Sequence, residues 1–370
     1  MELGDPSRSE LYQPPAASQH PLRGRSATLP VVEGQKNCPD HLSVIYRGPL
    51  SSCNYACPYC PFAKHTETAA EHAADARALA RFVAWAEAQP FPLSVFFTPW
   101  GEALVRPRYQ AALAQLSHLP HIRQLAVQTN LSGSLKWLAD ADRSKIGLWA
   151  TYHPGEVKQG RFLDRCAELD DLGVRYSVGV VGKKGHFTQI EAMRAALPAH
   201  VYLWVNAFKV GDGYYSQADL ARLSAVDPLF EVNTRRYRTR GLACGAGETV
   251  ISVEGDGTAR RCHFIERPIG NIYAQDVRDL LRPRPCSRAG CECHIGYVHL
   301  PELDAASVYG DGLLARIPDP AVWADRGRLE AYLERARGVT PHPSLARHPL
   351  PRGEGQKRED SASPPQQSGQ

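Results

Sequence analysis

Short apolar runs bounded by turn residues recur six times between residues 42 and 208. They are rich in Val, Ile, Leu and aromatic residues, a composition typical of buried β-strands. The predicted strands are residues 42–48, 93–99, 122–130, 146–154, 174–182 and 201–208. Ala-rich or 3.6-periodic segments separate or follow them and predict helices. The predicted helices are residues 66–89, 107–119, 133–142, 156–172, 186–197 and 216–226.

Six alternating strand and helix units predict right-handed crossovers and a parallel sheet. Such a sheet is either doubly wound or forms all or part of a (β/α) barrel, so the expected fold class is α/β. In both architectures, ligands bind at the carboxyl ends of the strands. Polar residues follow three of the predicted strands, at 100–102, 128–130 and 151–153. We therefore expect the functional site at this edge of the sheet.

The character of the chain changes near Thr234, where an arginine-rich stretch leads to five cysteines between residues 244 and 293. Residues 248–264 predict a hairpin, because Glu-Gly-Asp-Gly supplies turn residues that tolerate positive φ. We expect a barrel domain over residues 41–233 and a small cysteine-rich α+β domain over residues 234–300. A C-terminal helical segment is expected over residues 301–337.

Residues 1–40 and 338–370 are rich in Pro, Ser and charged residues and lack an apolar period, which predicts disordered tails. A net charge of +4 over 370 residues does not by itself indicate a polyanionic partner. No apolar run is long enough for a membrane span or a signal core, so we expect a cytoplasmic protein with no membrane partner. In a reducing compartment, ten cysteines at short spacings are typical of metal ligands.

Three cysteines, Cys53, Cys57 and Cys60, fall within eight residues. Their spacing also fits one face of a helix, which would bury three small side chains in a core. Pro58 and Pro61 argue against a helix, because they remove backbone donors and bias the preceding cysteines away from the helical region. The thiols are therefore predicted on a loop directly after the first strand.

Three thiols on a loop leave two kinds of metal centre open. A structural zinc site takes four protein ligands, and His65 could be the fourth. A 4Fe-4S cluster held by three cysteines instead leaves one iron free to bind another molecule. Cys166 belongs to the apolar stripe of the predicted helix 156–172 and is expected in the core. Cys38 has no assigned role.

The Cys-x3-Cys-x2-Cys loop, with Tyr59 just before its last cysteine, resembles the signature of radical S-adenosylmethionine (radical SAM) enzymes. The resemblance implies a partial (β/α)6 TIM-like barrel with this loop after strand one. It implies that S-adenosylmethionine chelates the fourth iron and is cleaved to a 5'-deoxyadenosyl radical, which abstracts hydrogen from a substrate. A reductase such as flavodoxin or ferredoxin would supply the electron.

Further positions resemble the S-adenosylmethionine contacts of this family. Trp100-Gly101-Glu102 is similar to a Gly-Gly-Glu turn that receives the methionine amino group, although Trp replaces the first Gly. Thr129 and Asn130 lie where polar contacts to the methionine or ribose are found, and residues 178–182 resemble the segment beside adenine. Ordinary roles stay open: Glu102 could begin a helix, and His153 could be a polar strand end.

The five C-terminal cysteines resemble the beginning of a SPASM or Twitch extension, which holds auxiliary 4Fe-4S clusters. A full SPASM set has seven cysteines, so five imply a shortened domain with one cluster. Its ligands would be four of these five residues, including the first two: Cys244, Cys262, Cys286, Cys291 and Cys293. A zinc ribbon is the alternative, because ligand spacing alone does not fix the metal.

Residues 46–64 and 293–300 also resemble an uncharacterised family of radical SAM proteins that share both signatures, and the resemblance covers about residues 42–300. The SPASM-like part favours oxidative modification of a peptide or protein. Two alternatives stay open: radical modification of a nucleic acid or small metabolite, and a non-enzymatic zinc-binding interaction protein. The nucleic-acid alternative depends on four arginines near Tyr237: Arg235, Arg236, Arg238 and Arg240.

Overall fold

The computed structural model describes residues 40–60, 62, 65–210 and 213–339. The expected disordered tails lie almost entirely outside these residues, as does Cys38. The strands are β1 (Leu42–Tyr46), β2 (Leu93–Phe97), β3 (Ile122–Thr129), β4 (Ile146–Tyr152), β5 (Arg175–Val181), β6 (Leu203–Asn206), β7 (Tyr237–Arg238), β8 (Val250–Val253), β9 (Thr258–Arg260), β10 (Pro268–Asn271) and β11 (Gly290–Cys291). The α-helices are α1 (Ala69–Glu87), α2 (Pro107–Ser117), α3 (Gln159–Asp171), α4 (Phe187–Ala196), α5 (Gln217–Ser224), α6 (Phe230–Thr234), α7 (His294–Tyr297), α8 (Ala306–Tyr309), α9 (Pro320–Trp323) and α10 (Arg326–Gly338).

Nine of these strands form one sheet in the order β10-β9-β8-β1-β2-β3-β4-β5-β6. Strands β1 to β6 are parallel neighbours in chain order, which confirms the six predicted strands and the α/β class. A doubly wound sheet would reverse its strand order at a switch point. The uninterrupted order of β1 to β6 is instead that of a partial barrel.

The two faces of the sheet are covered by different parts of the chain, because successive side chains of a strand point to opposite faces. One face carries Val44 and Leu148 and packs against helices α1 to α4, together with the buried Cys166 predicted in the core. The other face carries Phe96 and Trp149 and packs against residues of the C-terminal segment. All crossover helices therefore lie outside the partial barrel.

The C-terminal segment, residues 301–339, fills the inner side of the partial barrel. A Cβ added to Gly147 of β4 would lie 2.7 Å from the methyl group of Ala315 in this segment. The missing side chain at Gly147 therefore leaves room for the segment. The hydroxyl of Ser177 in β5 donates to the Ala315 carbonyl at 2.8 Å. The segment contains α8, α9 and α10, so helices occur where a helical segment was expected.

Local signals explain the first two helices. The hydroxyl of Thr68 accepts a hydrogen bond from the backbone N–H of Glu71, and the Glu71 carboxylate accepts one from the backbone N–H of Thr68. This reciprocal pair is a capping box, and it begins α1. Pro107 occupies the first turn of α2, where its missing N–H costs nothing. The buried carboxylate of Asp75 accepts from Arg108 Nε at 2.7 Å and from the Tyr109 hydroxyl at 2.9 Å, which joins the two helices.

Two features differ from the sequence-based expectations. The predicted helix 133–142 is replaced by a short 3-10 helix, Lys136–Asp140. The predicted hairpin exists as β8 and β9, but β8 pairs in parallel with β1 and so continues the central sheet. No break in the sheet therefore marks the expected domain boundary at residue 234. An open edge of β1 would expose unpaired backbone groups, which β8 satisfies.

Among the described residues, no helix combines the length and the hydropathy needed to cross a bilayer. The expected cytoplasmic location stays a prediction.

Candidate active site

The three predicted ligand thiols lie on the loop that follows β1. Residues 53–60 form neither helix nor strand, and the backbone N–H of Cys60 donates to the Cys57 carbonyl at 3.1 Å. Cys57 is 4% exposed, whereas Cys53 and Cys60 are half-buried. The loop prediction is confirmed, although Pro61, which supported it, lies outside the described residues.

Glu67 holds the beginning of this cysteine loop, a role that the sequence analysis missed. Its carboxylate accepts from the backbone N–H of Ser51 and from the hydroxyl of Ser52, each at 2.6 Å. Burial acts to raise the pKa of Glu67, but the bonds from Ser52 and Ser51 outweigh it and hold the pKa below its usual value. The only sequence signal is an acidic residue placed just before the cap of α1.

The turn after β2 packs directly against the residues that precede Cys53. The backbone N–H of Gly101 donates to the Leu50 carbonyl at 3.2 Å, and that of Glu102 donates to the Ser52 carbonyl at 3.1 Å. A Cβ on Gly101 would lie 1.9 Å from the Ser52 carbonyl oxygen. Glycine is required here because two backbones touch. Its contact with S-adenosylmethionine stays a prediction.

Glu102, Thr129 and Asn130 come together at neighbouring strand ends. The buried carboxylate of Glu102 accepts from the Thr129 hydroxyl at 2.7 Å, from the Asn130 N–H at 2.6 Å and from the Leu104 N–H at 2.9 Å. Burial raises the pKa of Glu102, and these bonds oppose the rise. Glu102 therefore caps a 3-10 helix and braces the end of β3. Whether these three residues also contact S-adenosylmethionine stays a prediction.

Asn130 connects the end of β3 to the cysteine loop. Its Nδ2 donates to Asn54 Oδ1 at 3.1 Å and lies 3.8 Å from the Cys53 sulfur. Its Oδ1 accepts from the backbone N–H of Ser132 at 2.9 Å. Between them, Leu131 has a φ of 57°, a left-handed conformation that is uncommon for a residue other than glycine. The turn thus fixes the amide of Asn130 against the first thiol.

His153, which follows β4, contacts the second thiol. Its Nδ1 lies 3.4 Å from the Cys57 sulfur and 2.9 Å from the Tyr59 hydroxyl. Burial lowers the pKa of His153 to about 4, and His186 lowers it further. The imidazole is therefore neutral at pH 7. Of the two roles that its strand-end position allowed, the structure places it in the site.

The thiols of this loop require a cation to ionise. Burial raises the pKa of Cys53, and it raises the pKa of Cys57 to about 11, with a further contribution from the Glu156 carboxylate. Both are protonated at neutral pH without a cation, because thiolates form only where positive charge stabilises them. A donor set of three buried or half-buried thiols fits an iron-sulfur cluster, whose irons would provide that charge.

A zinc ion fits the described residues less well. His65, the fourth ligand of the zinc hypothesis, has its Nε2 in a hydrogen bond with the Ser51 hydroxyl at 3.0 Å. In the described part of the chain, no three side chains of His, Cys, Asp or Glu converge closely enough to hold one metal ion. Zinc needs its ligands at about 2.0–2.3 Å from one centre. In the part of the chain that the structure describes, the loop thiols thus lack a free fourth protein ligand for zinc.

A cavity of about 700 Å³ opens beside the cysteine loop. The loop contributes Asn54 and Tyr55 to its wall, and the end of β3 contributes Asn130. The exposed cations Lys158 and Arg161, at the beginning of α3, lie on the opposite side. The cavity therefore combines amide, aromatic and cationic groups next to the thiols.

Four of the five C-terminal thiols line a second, much smaller cavity: Cys244, Cys262, Cys286 and Cys291. Phe264, Ile265 and Leu300 close it with apolar side chains. Burial raises the pKa of Cys262 to about 12, and the neighbouring Cys244 and Cys286 raise it further. These thiols therefore face one another, although they come from distant parts of the chain.

Cys293 does not belong to the lining of this second cavity, as far as the described residues show. It precedes the first turn of α7 as its N-terminal cap residue. Burial raises its pKa, whereas the nearby cations Lys209, Arg316 and Arg47 lower it. Cys293 nevertheless lies close enough to Cys262 and Cys291 to interact with them electrostatically, so which four of the five thiols would hold a metal stays a prediction.

The glycines of residues 178–182 have packing roles. A Cβ on Gly179 would lie 2.0 Å from the indole of Trp204, and a Cβ on Gly182 would lie 2.8 Å from the Tyr215 hydroxyl. The Tyr215 hydroxyl also donates to the Gly182 carbonyl at 2.6 Å. Room for neighbouring aromatic rings therefore explains both glycines without a nucleotide.

Two arginines of the run near Tyr237 form ion pairs with acidic residues of the same chain. Arg235 donates to Glu231 Oε1 at 2.7 Å, and Arg236 pairs with Glu292 at 2.7 Å. Tyr237 is fully buried, and its hydroxyl donates to the Val232 carbonyl at 2.8 Å. Arg238 and Arg240 are exposed. A nucleic-acid partner stays a prediction, and two of the four arginines of the run are exposed for such a contact.

No family model matches the sequence, and no curated protein is similar to it. Solved structures match part of the chain at low identity. The crystal structure of Streptococcus suis SuiB matches with 16% identity and a TM-score of 0.45 over 65% of each chain, so this chain spans less than two thirds of SuiB. Native anSMEcpe with bound AdoMet and Cp18Cys peptide matches with 13% identity and a TM-score of 0.45, over 80% of this chain and 95% of that one. BtrN in complex with AdoMet and 2-DOIA has 16% identity and a TM-score of 0.31, over 65% and 81%.

Proposed function

We propose that the protein is a radical SAM enzyme that uses S-adenosylmethionine at a 4Fe-4S cluster. Cys53, Cys57 and Cys60 would hold this cluster. The observation that carries the proposal is the set of three loop thiols at the carboxyl end of β1, beside a cavity of about 700 Å³. When bound, the cluster would supply the electron that cleaves the carbon-sulfur bond of S-adenosylmethionine and releases the 5'-deoxyadenosyl radical.

The chain's own residues would position this chemistry. Asn130 and His153 contact the first and second thiols and would orient them around the cluster. Glu102 fixes the N–H of Asn130 and so holds one wall of the cavity. Lys158 and Arg161 at the cavity suit the carboxylate of S-adenosylmethionine.

A second cluster in the C-terminal cysteine group fits the proposal. We assign its ligands as the four thiols that line the small cavity: Cys244, Cys262, Cys286 and Cys291. Four protein ligands leave no iron open, so this cluster would pass electrons and would not bind substrate. A zinc ion is the other occupant that four thiols allow.

The partners of the enzyme follow from this chemistry and stay proposals. A reductase such as flavodoxin or ferredoxin would supply the electron, and the substrate would be a peptide or protein that is oxidatively modified. A nucleic acid or small metabolite is the alternative substrate. All of these partners agree with a cytoplasmic location.

Anaerobic reconstitution tests the proposal. The full-length protein is loaded with iron and sulfide, reduced with dithionite and incubated with S-adenosylmethionine, and 5'-deoxyadenosine is measured. We expect product from the wild type and none from the variant in which Cys53, Cys57 and Cys60 are replaced by Ala. The absence of product from a wild-type protein that carries its iron, or equal product from the variant, would refute the proposal. Zinc with little iron after anaerobic purification would favour the zinc-binding alternative.

A further inference from the structure

Several buried donors on the inner side of the partial barrel lack acceptors. Trp149 Nε1, His294 Nε2, and Nε and Nη1 of Arg316 have no hydrogen-bond partner among the described residues. The three side chains are 5%, 4% and 1% exposed, respectively. Buried polar groups without partners are costly, and native proteins satisfy nearly all of them. These donors therefore call for an acceptor.

The three side chains come from separate parts of the chain and lie next to one another. The ring of His294 in α7 meets the ring of Trp149 in β4 edge-on, with 5.3 Å between centroids. The guanidinium carbon of Arg316 lies 5.6 Å from the Trp149 ring and 4.3 Å from the Trp204 ring. We call the three side chains, Trp149, His294 and Arg316, the donor cluster.

The backbone at Arg316 supports a specific role for this cluster. Its φ of 55° is left-handed, which costs free energy for a residue with a Cβ. Such conformations persist where the surrounding structure holds them, and they are frequent at binding sites. The fold thus keeps an unfavourable conformation that presents a guanidinium to the inside of the barrel.

The nearby acid does not occupy the open nitrogens. Asp227 lies close enough to interact electrostatically with Arg316. Its carboxylate, however, accepts from the Tyr202 hydroxyl and the Val205 N–H at 2.8 Å, and from the Leu229 N–H at 2.9 Å. The two nitrogens of Arg316 consequently stay without an acceptor.

The donor cluster lies below the cysteine loop on the same face of β4. Trp149 and Thr151 share the inner face, because alternate residues of a strand point the same way, and His153 is the next alternate position. His153 contacts Cys57 at 3.4 Å. Four residues of strand span about 13 Å. The Thr151 hydroxyl between them is also buried and has no partner among the described residues, so a further unpaired polar group lies between the cluster and the loop.

We propose that the donor cluster binds a carboxylate group of the substrate inside the partial barrel, which places the rest of that substrate toward the cysteine loop. A carboxylate accepts several hydrogen bonds and pairs with a guanidinium in two-pronged geometry. Arg316 brings one permanent positive charge to the cluster, which matches a carboxylate better than a doubly charged phosphate. This inference rests on the proposed function for the role of the substrate.

Carboxylate binding can be measured without either cluster chemistry or turnover. The full-length protein is titrated with propanoate, and binding is followed by tryptophan fluorescence and by the shift in Tm. Propanamide and inorganic phosphate at matched ionic strength are the comparison probes. We expect propanoate to bind and the other two to bind at least 10-fold more weakly.

Variants locate the binding. Arg316→Met keeps the volume and removes the charge, and we expect it to weaken propanoate binding about 10- to 100-fold, the range for a charged hydrogen-bonded pair. Trp149→Phe removes only the indole N–H and should weaken binding about 3- to 10-fold, measured by the Tm shift. Arg335→Met, at an exposed ion pair with Asp304, is the matched control and should bind as the wild type does.

The outcomes are separable. Equal propanoate binding by the wild type and Trp149→Phe, stronger binding of phosphate, or no binding at all would overturn the carboxylate site; the last result would mean that buried water satisfies the donors. Trp149→Phe decides the matter if Arg316→Met does not fold. If the reconstituted wild type forms no 5'-deoxyadenosine, the proposed function is refuted. The propanoate result does not depend on that outcome.

Discussion

The three thiols of the loop after β1 and the four thiols of the C-terminal cavity differ in how the chain brings them together. The loop thiols, Cys53, Cys57 and Cys60, lie within eight residues, and a cavity of about 700 Å³ lined by Asn54 and Tyr55 of the same loop opens beside them. The C-terminal thiols come from positions between residues 244 and 291 and line a cavity of about 20 Å³. The cavity beside the loop is large enough for a molecule of the size of a nucleoside, and the second cavity is not.

This difference suits two roles for iron-sulfur clusters. An open site with three thiols can bind a substrate at its remaining iron, whereas a closed site with four thiols is restricted to electron transfer or structure. The supports differ in the same way. The loop is held by polar contacts from Glu67, Asn130 and His153, and the C-terminal cavity is closed by Phe264 and Leu300.

The largest expected effect is on the amount of iron bound by the C-terminal thiols. Cys291→Ala should lower the iron below about eight per reconstituted chain and change the Mössbauer signal of one cluster, because that cluster keeps only three of its four ligands. Cys293→Ala should retain all of them, since Cys293 lies outside the cavity. Iron and sulfide analysis with Mössbauer spectroscopy measures both variants. Loss of iron from Cys293→Ala and not from Cys291→Ala would reverse the ligand assignment.

A change at Gly101 should affect only the open site. In Gly101→Ala the new Cβ would meet the Ser52 carbonyl oxygen at 1.9 Å, so the start of the cysteine loop has to move. We expect 5'-deoxyadenosine formation to fall at least 10-fold, with a loss of about 1–3 kcal/mol in the free energy of unfolding. Product assays and urea unfolding check both effects.

Gly160→Ala is the control for this change. Gly160 lies in α3 with no atom within 4 Å of a Cβ added there. This variant should keep its activity and gain slightly in stability, because Ala favours a helix. Wild-type product formation by Gly101→Ala would show that the contact between the two turns does not set the geometry of the open site.

The smallest expected effect concerns pH. Glu67→Gln should lower the free energy of unfolding at pH 7 by about 1–2 kcal/mol, because the charged acceptor for Ser51 and Ser52 is lost. The folded-state pKa of Glu67 lies below its unfolded value, so its contribution is present above the unfolded pKa of about 4.3 and is lost as the pH falls through the folded pKa.

Urea unfolding between pH 7 and pH 3 measures this contribution. The difference between the wild type and Glu67→Gln should shrink toward zero at the acidic end. Iron bound by the C-terminal group should be the same in both proteins. A difference that is constant with pH would mean that Glu67 acts through packing and not through its charge.

Particular residues show which features of the site could be predicted from the sequence. Local patterns located Cys53, Cys57 and Cys60 on a loop, because Pro58 and Pro61 disfavour a helix that runs through these residues. The sequence predicted that polar residues after neighbouring strands lie at one edge of the sheet. The hydrogen bond between Thr129 and Glu102 agrees with this prediction. The capping and bracing bonds of Glu102, however, became visible only in the fold. Glu67 was missed altogether, since its partners lie sixteen and fifteen residues away with no periodic relation.

The sequence by itself determined the six strands and the thiols of the first loop, because hydrophobic periodicity and proline act within a few residues. Tertiary structure alone decided that the sheet follows the order of a partial barrel, that β8 continues the sheet, and that Arg316 reaches Trp149. These relations depend on which surfaces pack together. Packing joins residues that are distant in the chain, and no local pattern records it.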